Sequence, residues 1–229
     1  MKLASLFSGG KDSTYAIHLA QKQGHDVKCL LSVFPKSDES HLLHHPNMKW
    51  TKLQSDTMNI PQLTIASTSD ETENELTLVE NLLQKAKDQF QIEGLVHGGI
   101  QSKFQKDKFE NICSKLNLKV IAPLWDTEPE QYMNELINSG FNFILTTVTS
   151  DGLDDSWLGK IISESDIVTL KSLSEKFGFN LNFEGGEAET FVINCPLFTN
   201  SIKINQSQKK WDGYRGRFEI VDAELNYNA

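Results

Sequence analysis

The chain has 229 residues, 38% of them hydrophobic and 23% charged, with a net charge of −9. That length supports one large domain or two small ones, each with a core, and no apolar run approaches the ~20 residues that span a bilayer. An acidic chain without a lysine or arginine block argues against a nucleic-acid-binding face. Cys29, Cys113 and Cys195 lie far apart and form no CxxC or zinc pattern, which suits a reducing cytosol. The N-terminus enters a strand at once, so a cytoplasmic protein without a signal peptide is expected.

Residues 3–7 form a short apolar run, read as a strand, and the helical spacing of Ala16, Ile17, Leu19 and Ala20 follows it. Residues 28–34 read as a second strand. Residues 48–58 read as a helix with Trp50, Leu53 and Thr57 at spacing three and four, and residues 63–66 as a short strand. The clearest helix is 73–90. Leu76, Val79, Leu82, Leu83, Ala86 and Phe90 make one stripe, opposed by Glu75, Glu80, Lys87 and Asp88. Its start is acidic (Asp70, Glu71, Glu73), as the helix dipole prefers. Residues 94–97 give a fourth strand ending in Gly98-Gly99. Residues 104–116 give a helix with Phe109, Ile112, Cys113 and Leu116 inward, and residues 119–122 a fifth strand closed by Pro123.

Strands alternating with helices predict parallel βαβ units with helices on both sheet faces. Ligands in such sheets bind beyond the carboxyl ends of the strands. Three glycine-rich or polar turns fall at that edge: 8–13, 35–45 and 98–103. Beyond Pro123 the pattern changes to a helix at 128–139 stopped by Gly140, a strand at 141–148 and a helix at 167–177. Short strands follow, including 202–204 and 218–225. The expected architecture is α/β, with a parallel-sheet domain over 1–124 and a smaller α+β domain over 125–229.

Ser8-Gly9-Gly10-Lys11-Asp12-Ser13 sits at the first strand-to-helix turn. Adjacent glycines let the backbone fold tightly and approach a ligand. The following helix aims its free N–H groups and positive dipole end at the turn, where phosphate binds well. Lys11 adds a point charge, and Ser8 and Ser13 add hydroxyl donors. Asp12 reads as a magnesium ligand or an orienting group, since a carboxylate repels phosphate unless a cation intervenes. The spacing is not that of the Walker A loop, which places four residues between its first glycine and Gly-Lys-Ser/Thr.

Two later segments carry chemistry. Asp151-Gly152-Leu153-Asp154-Asp155-Ser156-Trp157-Leu158-Gly159 follows a β-like segment, and Glu184-Gly185-Gly186-Glu187-Ala188-Glu189-Thr190-Phe191-Val192 is read as following another. Two glycines flanked by three glutamates suit neither a stable helix nor a good strand. Such packed carboxylates favour a bound cation, a bound ammonium group or plain solvation. His44 and His45 lack partners at metal-ligand spacing and read as solvated loop residues. His97, at a strand end, has the better claim on the cleft. Lys103 and Lys106 suit phosphate, a protein substrate or a solvated helix face about equally.

Ser8 to Ser13 resembles the PP-loop of the ATP pyrophosphatases, which cleave ATP between the α and β phosphates. Along nearly its whole length the chain resembles the diphthine–ammonia ligase (diphthamide synthetase) family within that group. The carrying segments are the PP-loop, Gly98-Gly99-Ile100-Gln101-Ser102-Lys103-Phe104-Gln105-Lys106, Ala122-Pro123-Leu124-Trp125, and the segments 152–159 and 184–192. The resemblance departs mildly at Gly99, commonly alanine, at Phe104, commonly tyrosine, and in Ser40-His41-Leu42-Leu43-His44-His45-Pro46. With its end at Ala229, the chain looks like the short archaeal-type form.

The resemblance implies an adenine-nucleotide α-hydrolase-like (Rossmann-like) domain followed by a family-specific domain. It implies amidation of the diphthine carboxylate on translation elongation factor 2 with ammonia, through an acyl-adenylate, giving diphthamide, AMP and pyrophosphate. ATP and Mg2+ are the implied cofactors. Ser8, Gly9, Gly10, Lys11, Asp12, Ser13, Gly98 and Gly99 would bind the nucleotide, with Asp12 on the metal. Lys11, Asp12, Glu187 and Glu189 would be catalytic. Gln101, Ser102, Lys103, Asp155, Trp157, Glu184, Gly185, Gly186 and Glu187 would bind substrate, with Trp157 or Trp211 facing the trimethylammonium group. Expected partners are elongation factor 2 bearing diphthine, and ammonium, with a homodimer allowed and neither membrane nor direct nucleic-acid contact. The alternatives are an amide ligase for another carboxylate and a non-catalytic ATP/AMP-binding sensor.

Overall fold

The computed structural model describes residues 1–34, 47–69 and 71–227. The expected features on Asp70, His41, His44 and His45, and the 35–45 turn, lie outside the described residues. The chain divides into two compact units. One comprises Met1–Ser8, Asp12–Met48 and Asn59–Trp125, and the other Gly9–Lys11, Lys49–Met58 and Asp126–Ala229.

The first part of the chain runs β1 (Lys2–Leu6), α1 (Lys11–Lys22), β2 (Asp26–Phe34), a 3-10 turn (Met48–Trp50), α2 (Thr51–Met58), β3 (Gln62–Ala66), α3 (Thr72–Phe90), β4 (Gly94–Val96), α4 (Lys103–Lys115) and β5 (Lys119–Ile121). The five strands form one sheet in the order β3-β2-β1-β4-β5. All its pairings are parallel, with Leu3 opposite Val27 on one side and Gly94 on the other. The chain steps outward from β1 to β3, then crosses back to β4. The order therefore reverses between β1 and β4, which makes the carboxyl ends of those strands the topological switch point.

Strand alternation sorts the side chains by face. Ala4, Cys29, Leu31, Val33 and Leu95 pack with Leu76, Val79, Leu83 and Ala86 of α3 and with Phe109, Ile112 and Cys113 of α4. Leu3, Ser5 and Leu30 on the opposite face are equally buried, and right-handed crossovers assign that face to α1. The long stripe seen in the sequence is the inner face of α3, and each of its fully buried leucines contributes about 1.5–3 kcal/mol; Glu75, expected on the opposing polar face, is instead fully buried.

The second unit continues with α5 (Pro129–Asn138), β6 (Asn142–Val148), α6 (Glu164–Phe177), β7 (Ala188–Asn194), β8 (Ser201–Trp211) and β9 (Gly216–Asn226). Its four strands form an antiparallel sheet in the order β7-β6-β9-β8. Helix α6 begins earlier than its apolar pattern, because Ser163 and Asp166 form a reciprocal capping box.

Three expectations are corrected. Residues 188–194, including Glu189, form a strand; the glycines end at Gly186, and the apolar run Phe191 to Ile193 holds the sheet. What precedes Glu184 is a turn after α6, not a strand. The short strand expected at 202–204 is an 11-residue strand paired with β9 from Ser201↔Asn226 to Trp211↔Gly216. Its outer half is polar and exposed, so backbone pairing holds it and no apolar alternation announces it.

Helix α2 has eight residues, too few to stand alone in water. Packing in the second unit supports it. The Trp50 indole donates to the Ile220 carbonyl at 2.9 Å. The Thr57 hydroxyl accepts from the Asn200 N–H at 2.7 Å and donates to the Asn200 carbonyl at 2.6 Å, while its own carbonyl accepts from the Thr199 N–H. Thr57→Val preserves shape and strands the Asn200 amide. It should lower the urea unfolding free energy by about 1–3 kcal/mol, and an unchanged midpoint would show that this clasp contributes nothing.

Candidate active site

In the first unit the β1–α1 and β4–α4 turns meet at the switch point. The Ser8 N–H donates to the Ser13 hydroxyl at 3.3 Å, and the two hydroxyls lie 3.2 Å apart. A Cβ on Gly98 would fall 2.5 Å from the Asp12 carbonyl carbon and 2.7 Å from the Ser13 nitrogen. Only glycine permits that backbone approach. Ser8, Asp12, Ser13, Gly98 and Gly99 thus share one edge of the parallel sheet.

His97 supports the second turn from below. Its Nδ1 accepts from the Gly99 N–H at 3.1 Å, and its ring lies 5.2 Å from that of Phe109. The ring proton is therefore on Nε2, which is buried without a hydrogen-bond partner among the described residues. Burial, reinforced by the Lys106 charge, pushes the His97 pKa down to about 4. Ser102 is the N-cap of α4, its hydroxyl accepting from the Gln105 N–H at 3.4 Å. Gln101 and Lys103 beside it are exposed. Lys106 lies 4.3 Å from the centre of the Trp125 ring.

The second unit holds the middle of the glycine loop. The Val192 N–H donates to the Gly9 carbonyl at 3.0 Å. The Gln54 amide bridges the Gly9 and Val192 carbonyls at 2.9 and 2.8 Å. The Lys11 N–H donates to the Thr190 hydroxyl at 3.0 Å. Gly9 has a left-handed φ of 81°, and a Cβ there would meet the Gln54 side chain at 2.3 Å. Gly10 completes this segment, which runs along β7. The Lys11 side chain is 2% exposed. Its ammonium donates to the Asn182 carbonyl at 2.7 Å and lies 5.6 and 5.7 Å from the Tyr132 and Phe183 ring centres. A charge this dry needs such partners.

The acidic turn follows. Glu187 Oε1 accepts from both the backbone and side-chain N–H groups of Asn180, each at 2.8 Å. Glu187 Oε2 is buried without a partner among the described residues. The Glu184 N–H donates to Asn182 Oδ1 at 3.3 Å, and Asn182 Nδ2 is likewise buried and unpartnered. Gly186 has a φ of 82°, and Gly185 leaves room that a Cβ would fill, 2.6 Å from Glu187 Oε1. Thr149 clasps the turn through its N–H to the Glu187 carbonyl and its hydroxyl to the Gly186 carbonyl. Glu184 and Glu187 thus belong to the turn, whereas Glu189 lies in β7 with its N–H donated to the Thr147 hydroxyl.

Asp155 and Trp157 lie in the 151–159 segment. Asp155 is exposed, and its carbonyl accepts from Leu158 N–H and Lys209 Nζ. Trp157 is buried, with Lys160 Nζ 4.9 Å from its ring centre. Trp211 is the more accessible indole, 38% exposed. Sequence reasoning missed Gln54, Tyr132 and Asn182, none of which carries a distinguishing local signal, and gave no role to Thr190, which lies inside the 184–192 segment. All three cysteines are buried, which pushes each thiol up to about 12 and removes thiolate chemistry at neutral pH.

The left-handed Gly9 fits a turn that receives phosphate oxygens. Among the described residues no group of three or more His, Cys, Asp or Glu is placed to hold a metal. Asp12 alone fits magnesium only in the mode that ion favours, one carboxylate with phosphate oxygens and water as the remaining ligands. No helix of the described residues is long and apolar enough to cross a membrane.

A parallel sheet with a glycine loop at its switch point, joined in sequence to a glutamate-bearing antiparallel unit, defines an α/β class in which ligands bind at the carboxyl edge of the strands. Family models sharpen this: the diphthamide synthase N-terminal domain matches residues 1–120 and the C-terminal domain residues 128–225. The chain belongs to the diphthamide synthase family and is an enzyme of it. It is 35% identical over 226 residues to the diphthine–ammonia ligase of Rattus norvegicus and 33% identical to that of Homo sapiens, in each case over 91% of this chain and 84% of the relative. A crystal structure of a predicted tRNA methyltransferase subunit from Methanocaldococcus jannaschii is 15% identical, covers 86% of this chain and 98% of that one, and has a TM-score of 0.45.

The His97 environment makes a pH prediction. The unfolded imidazole takes a proton near its ordinary value of 6.5, whereas the folded ring resists protonation down to about 4. Stability is therefore complete above pH 6.5 and falls as pH drops between 6.5 and 4, by on the order of 3 kcal/mol for this group. Urea midpoints measured across that window should fall in the native protein and fall less in His97→Phe. Parallel curves would remove His97 as the cause.

Proposed function

We propose that the chain converts the diphthine carboxylate of elongation factor 2 into the amide, using ATP and free ammonium. The observation that carries this reading is the Glu187 carboxylate: one oxygen is pinned by Asn180, and the other is buried and unpartnered among the described residues. An acceptor held that way suits a group that must take a proton from an attacking nitrogen.

Hydroxide is a poor leaving group, so the acid has to be activated. In the proposed first step a carboxylate oxygen attacks the α-phosphorus of ATP. The bond to the bridging oxygen breaks and pyrophosphate leaves with the electron pair, giving the acyl-adenylate. The chain's contribution is positioning and charge neutralisation. Ser8, Gly9, Gly10, Ser13, Gly98 and Gly99 are proposed to hold the nucleotide, and Asp12 the magnesium ion that neutralises phosphate charge when bound. For Lys11 to serve the phosphates, its ammonium has to leave the Asn182 carbonyl it holds in the structure.

In the second step ammonium first gives up one proton to solvent, and the lone pair of the resulting ammonia attacks the acyl carbon. Glu187 takes a nitrogen proton, and the bond to the adenylate oxygen breaks to release AMP. Glu184 and Glu189 are proposed to attract ammonium, and the exposed Gln101, Lys103 and Asp155, with Ser102, to contact the protein substrate. Trp211 is proposed to face the trimethylammonium group in preference to Trp157, because it is the more accessible ring.

The test supplies ATP, magnesium, ammonium and diphthine-bearing elongation factor 2 and measures AMP, pyrophosphate and amide. AMP formation should depend on the acceptor; AMP without acceptor, or none at all, would overturn the reading. Glu187→Gln should retain acceptor-dependent ATP–pyrophosphate exchange and lose amide formation by about 10²–10⁴-fold. Equal loss of both would move Glu187 from proton transfer to the nucleotide site or the fold.

A further inference from the structure

We propose that the side-chain amide of Asn182 donates a hydrogen bond to the acyl oxygen of the acceptor while the amide forms. This rests on the amidation reading above and adds a catalytic residue to it.

Asn182 is 1% exposed. Both of its acceptor groups are engaged. The main-chain carbonyl accepts from Lys11 Nζ at 2.7 Å, and Oδ1 accepts from the Glu184 N–H at 3.3 Å. The second contact fixes which end of the amide is oxygen, so Nδ2 is the donor end. Nδ2 is buried and has no partner among the described residues. Leaving such a donor unmet is unfavourable, and buried orphans of this kind call for an explanation. Because Oδ1 touches the Glu184 amide, the planar group carries Nδ2 to the start of the acidic turn.

The same turn holds a second orphan of opposite sense, Glu187 Oε2. A donor without an acceptor and an acceptor without a donor occur within six residues of chain. The second chemical step needs one of each. As the nitrogen attacks, the C–N bond forms and the carbonyl π pair moves onto oxygen, which becomes anionic. Glu187 takes the nitrogen proton, and the oxygen pair then returns to expel AMP. An N–H aimed at that oxygen is most valuable at the tetrahedral stage. Asn182 Nδ2 carries only protons outward, so it repels ammonium and selects the acyl oxygen, whereas Glu187 does the reverse. Lys11, between Tyr132 and Phe183, holds the Asn182 backbone in place.

Asn182→Asp is the test. Aspartate keeps the shape and the acceptor for the Glu184 N–H, and replaces the donor with a second acceptor. Amide formation from wild-type protein establishes the reaction first; if it fails, the amidation reading falls and this inference with it. Given that reaction, Asn182→Asp should lower kcat for amide formation by about 10²–10³-fold, with ATP–pyrophosphate exchange and the ammonium KM changed by less than about three-fold. Exchange doubles as the report on folding. Asn182→Leu, which removes the donor without adding charge, should show the same split. Wild-type amide formation in either variant, or exchange and amide formation falling in parallel in both, would overturn the proposal.

Discussion

Burying the Lys11 ammonium is the constraint on which the second unit is organised. A lone charge removed from water costs several kcal/mol unless it is met by dipoles or opposite charge. Here it is met by a backbone carbonyl and two ring faces, drawn from the turn after α6 and from α5. Those partners come from residues 132, 182 and 183, more than a hundred positions away in the chain. One side chain therefore fixes where the segment Gly9–Lys11 lies along β7 and where the turn leading to Glu184 begins. The Gln54 bridge and the Thr190 hydroxyl complete the same clasp with neutral groups.

The first unit solves a different problem, that of bringing two turns together at one sheet edge. Parallel strands leave their loops on the same side, but loops approach closely only where side chains are absent. Gly98 provides that absence, since its α-carbon faces the Asp12 and Ser13 backbone with no space for a methyl group. His97 then fixes the turn by accepting from Gly99 rather than by reaching outward. Its depressed basicity follows from the same burial: the ring was recruited as a neutral wedge under the turn.

Much of this was legible in the sequence, and the reasons differ by element. The α3 stripe was readable because six apolar residues at helical spacing admit one face and one partner surface. The glycine loop was readable because adjacent glycines before an apolar helix have few structural uses. The parallel sheet followed from alternation of the two periods. The extent of β8 was not readable, because its polar outer half is held by β9 and not by burial. The strand at 188–194 was obscured by Glu189, whose charge suggested a turn while its backbone paired with Thr147. Nor does any local pattern say that α2 clusters with the C-terminal residues or that Lys11 is buried; both depend on contacts distant in sequence. Asn182 was invisible because a single asparagine in a turn is the commonest of signals.

The acidic turn shows why composition underdetermines chemistry. Three glutamates around two glycines read most simply as a solvated surface, where each carboxylate would be surrounded by water and equivalent to its neighbours. The fold makes them inequivalent. Asn180 takes one oxygen of Glu187, Thr149 takes the turn's carbonyls, and Gly186 supplies the left-handed residue that turns the chain into β7. What is left is a carboxylate oriented through one oxygen, with the other withdrawn from water. A solvated carboxylate serves any cation weakly, whereas an oriented one serves a single proton transfer in a fixed direction. That difference is made by neutral side chains and backbone amides rather than by the acidic residues that first attract attention, so the specificity of this segment is to be sought in its asparagines.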